Sequence, residues 1–198
     1  MRALRTLSAA ALLLAGCAGG PVKPDLDQAA AQQAWKTRAA ALSQVAQFDL
    51  SGRLASGAGV SGTFTWQQHV DGSFDLHLSG PLGMGAMAIS GTEKLMQVKT
   101  SKGSYSSADP QGLIYQQTGW TLPIAGLRWW VLGLPSPRST AHVELDGAGR
   151  AMSIDQDGWH LAYSEYQDVG GRVLPRRFDA SSGEARVKLV ADRWISVE

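Results

Sequence analysis

"FDLSGRLASGAGVSGTFTWQQ", residues 48–68, reads as two alternating runs folded back on each other across a glycine-rich turn. Phe48, Leu50, Gly52 and Leu54 alternate with polar residues, and beyond "SGAGVSG" Phe64 and Trp66 do the same. A period of two sends every second side chain to one face of a strand, so the stretch is an antiparallel hairpin with one apolar face. Phe74, Leu76 and Leu78 continue the pattern. The turns "VDG", "GPLGMG", "SGTEK", "DGAGR", "DQDG" and "VGG" then punctuate further alternating runs such as "WHLAYSEY" and "ARVKLV". That spacing predicts about ten short antiparallel strands in one open or closed sheet.

Two segments depart from this period. In "DPQGLIYQQTGWTLPIAGLRWWVLGLPSP", residues 109–137, Asp109 and Pro123 are helix starters, and Gly133 followed by Pro135 is a stop. Two short helices are therefore expected to interrupt the sheet. Upstream, "DQAAAQQAWKTRAAALSQV" places Trp35, Ala39, Leu42 and, just past it, Ala46 at helical spacing. This is one amphipathic helix, with Trp35 packing it onto the core.

The chain opens with "MRALRTLSAAALLLAGC": basic Arg2 and Arg5, an apolar run from Leu7 to Leu14, then small residues before Cys17. That order is a secretory signal, and its apolar run is well short of the roughly 20 residues a spanning helix needs. Cys17 is the single cysteine, so an internal disulfide is impossible even in an oxidising compartment. "LAGC" looks like a bacterial lipobox, in which the cysteine is diacylglycerol-modified and becomes the first residue of the mature protein. The alternative is an ordinary signal cut after Ala15 or Gly16, which would leave a free thiol in a secreted chain. Ala18, rather than Asp, follows the cysteine, which by resemblance to lipoprotein sorting rules directs the protein to the outer membrane. Several acyl chains, each contributing about 0.8 kcal/mol per buried methylene, make a stable anchor. The expected organisation is a signal peptide over residues 1–16, a flexible Gly/Pro-rich tether over 17–27, and one globular domain over 28–198.

Formal net charge is +1; losing Arg2 and Arg5 from 18 basic residues leaves 16 against 17 acidic ones. Nothing in that balance points to nucleic acid. There is no Gly-x-Ser-x-Gly elbow, phosphate loop or His-Glu-x-x-His motif. His69, His77, His142 and His160 are scattered over strands without metal-ligand spacing, and Asp155 with Asp157 reads as a hairpin turn rather than an acid pair. The protein is not expected to be an enzyme, and no cofactor or metal is implied. What stands out is an apolar surplus, with Trp66, Trp120, Trp129, Trp130 and Trp159 among short strands. Composition allows either a packed interior or a hollow one, and packing is the default for so many apolar side chains.

A set of motifs spans nearly the whole mature chain: "SGRL" (51–54), "FTWQQ" (64–68), "GPLG" (80–83), "LRWWVLGLPSP" (127–137), "DGWHLAYSEY" (157–166), "LP" (174–175) and "RVKLVADRW" (186–194). In order and spacing it is similar to the LolB family of outer-membrane lipoprotein receptors. The glycine-rich "SGAGVSG" suggests a shorter or looser first hairpin than the family pattern. The resemblance implies an incomplete antiparallel β-barrel of about eleven strands, with helices covering its mouth and an apolar cavity for acyl chains. It favours a hollow interior, lined or covered by Phe64, Trp66, Leu76, Leu78, Leu127, Trp130 and Val131. It also implies receipt of lipoproteins from the periplasmic carrier LolA and their insertion into the inner leaflet of the outer membrane by a monomer. The ligands would be the acyl chains of the cargo, and the only attached lipid the one on Cys17. Pro81, Leu82, Gly83 and Met84 would form an apolar loop touching the membrane. The competing reading is a lipoprotein that holds a lipid or a protein partner without passing it on.

Overall fold

A computed structural model describes residues 26–56, 61–81, 86–92, 94–118 and 124–198. Its strands form two meanders. Strands β1 (Phe48–Ser56), β2 (Ser61–Gln68), β3 (Phe74–Ser79), β4 (Met87–Gly91), β5 (Met96–Thr100) and β6 (Gly103–Ser107) make the first. The second contains β7 (Ala141–Leu145), β8 (Ala151–Gln156), β9 (Trp159–Val169), β10 (Arg172–Ser182) and β11 (Ala185–Val197). β1 pairs with β11, which joins the meanders into one antiparallel 11-stranded sheet with order β6-β5-β4-β3-β2-β1-β11-β10-β9-β8-β7. β6 and β7 are its unpaired edges, so the barrel is open, as expected.

One detail differs from the expectation of short strands. β9, β10 and β11 run for 11, 11 and 13 residues. β10 shifts register against β9 between Pro175 and Phe178, and β11 against β1 opposite Asp49–Gly52. Such bulges bend a strand and let it continue, but in sequence they interrupt the alternation and look like an end. The β1–β2 ladder is also long, running from Phe48↔Gln68 to Ala55↔Ser61; its connecting residues 57–60 lie outside the described residues. The "DQDG" stretch is a hairpin turn as read: Asp157 and Gly158 have φ of 53° and 77°, the pair of positive values that matches strand twist in a two-residue turn.

Three helices lie against the sheet among the described residues. Helix α1 (Leu26–Leu42) begins about where its pattern starts and buries Ala31 and Leu42, with Trp35 and Ala39 packed against the core. The Arg38 guanidinium ties it to β10 by donating to the Val173 carbonyl at 3.0 Å. Helix α2 (Pro110–Thr118) starts where Asp109 predicts, because the Asp109 carboxylate accepts the Gly112 N–H at 3.0 Å. Helix α3 (Ile124–Trp130) ends where Gly133 predicts: Leu134 N–H donates to Trp129 O and Gly133 N–H to Trp130 O, both at 3.0 Å. That bond pair caps a helix through a residue of positive φ, here 75° at Gly133. α2 and α3 together form the connection between the two open edges.

The β7–β8 turn presses against α1. Gly149 has φ of +68°, and a Cβ there would lie 2.6 Å from Ala31 O and 2.7 Å from Trp35 N. Left-handed backbone and backbone contact both oppose a side chain, so Gly149→Ala should destabilise by about 2–4 kcal/mol. The check is a urea titration, with red-shifted tryptophan emission as α1 loosens and Trp35 becomes wetter.

Candidate functional site

The inner face of the sheet is largely apolar, broken by the buried amides of Gln68 and Gln156. Phe48, Leu50 and Leu54 of β1, Phe64 and Trp66 of β2, and Phe74, Leu76 and Leu78 of β3 are buried on one side, while Arg53, Thr63, Thr65 and His77 between them are exposed. Met87, Ile89, Met96 and Val98 extend the face over β4 and β5, and Leu161, Phe178 and Leu189 extend it over the second meander. Phe48 sits edge-on to both Trp66 and Trp194 at 5.4 Å, and Trp66 is 6.2 Å from Phe74.

The α3 segment covers this face and is fastened by polar groups inside it. The buried Gln156 amide oxygen accepts the Trp130 indole N–H at 3.0 Å and the Ser136 N–H at 2.8 Å. Its nitrogen donates to Ser136 O at 2.7 Å and to Ser139 O at 3.0 Å. Tyr163 donates to Trp130 O at 2.9 Å, and burial raises its phenol well above the usual pKa, so it remains a donor. In the sequence Gln156 reads only as the residue between the turn aspartates Asp155 and Asp157. The usable signal was register: a two-residue turn pairs Gln156 with Trp159, and cross-strand partners share a face.

Phe64, Trp66, Leu76, Leu78, Leu127, Trp130 and Val131 all belong to this single buried cluster. Trp66 also lines a cavity of about 410 Å³ at the end carrying the β2–β3 and β4–β5 turns, together with Phe74, Ile124, Arg128 and Trp129. The pairing of Leu78 with Met87 places the β3–β4 connection at the opposite end. Pro81 is exposed there, while Leu82, Gly83, Met84 and the anchor candidate Cys17 lie outside the described residues. Pro81 borders an outer-face groove of about 860 Å³ lined by Arg53, Thr63, Ser79, Arg177 and Lys188. Across that face Arg53 makes two hydrogen bonds to Asp192, at 2.8 and 2.7 Å, which hold the Asp192 carboxyl below its usual pKa. His69 contacts Asp75 at 3.0 Å and His160 contacts Asp155 at 2.6 Å. Among the described residues no group of His, Cys, Asp and Glu could hold a metal ion.

An open antiparallel barrel with an apolar inner face, covered by short helices, is the class these features define. Within it the chain belongs to the outer membrane lipoprotein LolB family, whose sequence pattern matches residues 46–194. It is 37% identical to the outer-membrane lipoprotein LolB of Pseudomonas paraeruginosa, across 98% of this chain and 97% of that one. The LolB of Pseudomonas fluorescens is 35% identical across 92% of this chain and 91% of its own, and that of Pseudomonas putida 37% across 92% and 90%. Membership makes this a lipid-anchored outer-membrane lipoprotein of a Gram-negative bacterium.

Proposed function

We propose that this protein takes lipoproteins from a periplasmic carrier of the LolA type and places them in the inner leaflet of the outer membrane. The supporting observation is the helix-covered apolar interior in a chain of this family. A triacylated lipoprotein carries three chains of roughly 16 carbons, and at about 0.8 kcal/mol per methylene its exposure to water would cost tens of kcal/mol. A carrier and a receiver must each enclose those chains. Phe64, Trp66, Leu76, Leu78, Leu127, Trp130 and Val131 are the side chains assigned to contact them. The chain has no nucleotide-binding motif, so transfer runs down an affinity gradient from carrier to receiver to bilayer.

In this reading Cys17 carries the anchoring lipid, and the loop of Pro81, Leu82, Gly83 and Met84 meets the bilayer. The anchor sits outside the receiving site. A signal-cleaved Cys17→Ala form should therefore be soluble, folded and able to strip labelled lipoprotein from a loaded carrier, read by co-purification of the label. Label that stays on the carrier removes the receptor reading. Label that reaches the anchored protein but never passes to liposomes identifies a holding scaffold instead.

A further inference from the structure

We propose that the outer-face groove beside Pro81 seats the phosphate of an anionic phospholipid in the bilayer to which cargo is delivered, with Arg53, Arg177 and Lys188 as its cations. This rests on the delivery function above and adds which lipid the barrel stands on. The groove is a concavity of about 860 Å³ that takes in half-buried Ala55 and Val190 and the hydroxyl side chains Ser61, Thr63, Ser79 and Ser164. Three cations line it against one carboxylate, that of Asp179.

Ion pairing leaves positive charge over. Arg53 commits Nε and Nη2 to Asp192, at 2.8 and 2.7 Å, whereas Arg176 and Arg177 share Glu165, at 3.2 and 3.3 Å. Lys188 approaches Asp179 only to 3.9 Å. Four cations, Arg53, Arg176, Arg177 and Lys188, thus face three carboxylates, Asp179, Asp192 and Glu165. The surplus of one matches the single charge of a phosphodiester. These pairs are exposed, so each is worth little and its cation can turn to an incoming oxyanion, for which guanidinium and ammonium groups are strong donors. The groove also lies where a bilayer reaches it. Ser61 begins β2 and Ser79 ends β3, both at the end that carries Pro81. Lys188 stands three residues from the start of β11 at that same end, about 10 Å along the strand. That distance is about one Debye length at ordinary ionic strength, so a surface met by the β3–β4 connection is within reach of these charges.

The test follows the full mature chain bearing Cys17→Ala onto sedimenting vesicles of phosphatidylcholine, alone or with phosphatidylglycerol as about one third of the lipid. Phosphatidylglycerol should tighten binding by about tenfold or more, and Lys188→Gln and Arg177→Gln should each take back about fivefold of that gain while leaving binding to the neutral vesicles unchanged. Both positions are exposed and Glu165 keeps Arg176, so melting temperatures should match that of the unaltered chain. Lys102→Gln is the control for diffuse attraction: it lies in the β5–β6 turn at the same end, outside the groove, and should change binding by less than about twofold. Equal affinity for the two vesicles, or a loss in Lys102→Gln as large as that in Lys188→Gln, overturns the headgroup seat and leaves delivery standing. Absence of binding to either vesicle also overturns the seat, and if labelled cargo then reaches neither vesicle the delivery reading falls with it.

Discussion

Gln156→Met should unfold this protein at a denaturant concentration well below that of the unaltered chain, with a loss of about 3–6 kcal/mol. Methionine keeps the length and volume of the side chain, so packing changes little and hydrogen bonding changes completely. Three buried groups lose their only named partner: Trp130 Nε1, Ser136 N and Ser136 O. Each unsatisfied buried group costs about 1–3 kcal/mol, against a net gain nearer 1 kcal/mol for an ordinary bond. For a chain of this size the loss corresponds to a melting temperature lowered by about 10–20 °C. Ser139→Ala is the contrast, since Ser139 is half-buried and its hydroxyl oxygen is one of three acceptors of the Gln156 amide nitrogen. It should cost under about 1 kcal/mol. Hydrogen exchange localises the effect: the Ser136 amide should lose protection in Gln156→Met before the β1–β11 ladder does. Uniform loss across the sheet would mean that Gln156 supports the barrel and not its helical cover.

That asymmetry also explains what could be read from the chain. Alternation located β1, β2 and β3 because each has one apolar face and one wet one, so Phe64, Trp66, Leu76 and Leu78 were legible as inward residues. The covering helices were legible through punctuation, since Asp109 caps α2 and Gly133 ends α3 by local bonds that need no tertiary knowledge. β6, "GSYSS", has only Tyr105 to mark a face and escaped the pattern. β10 hid behind its bulge at Pro175. The role of Gln156 was not legible, because its meaning lies in partners 17 to 26 residues away. Periodicity reports burial, and it cannot report whether a buried donor has an acceptor.

Leu82→Glu should leave folding and cargo receipt unchanged and reduce delivery to liposomes by about tenfold or more. The residue follows Pro81, which is exposed beyond the last paired residue of β3, and the strands on either side are fixed by the Leu78↔Met87 pair. A substitution between them therefore spares the ladder. Burial of one leucine in lipid is worth about 1.5–3 kcal/mol, whereas each acyl chain of the anchor supplies several times that at about 0.8 kcal/mol per methylene. The loop is thus too weak to decide whether the protein stays on the membrane. In the proposed function it would decide how the barrel stands there, because about 1.4 kcal/mol is a factor of ten in the population of the delivering orientation. Glutamate removes the leucine contribution and adds the cost of bringing a charge to the bilayer, and both changes act against the inserted loop. The measurement follows labelled cargo in two steps, from carrier to this protein and from this protein to liposomes. Leu82→Ala should fall between the two, since it removes the apolar gain without adding the charge. Delivery at the normal rate by the Leu82→Glu protein would take the loop out of the mechanism and assign release to the barrel alone.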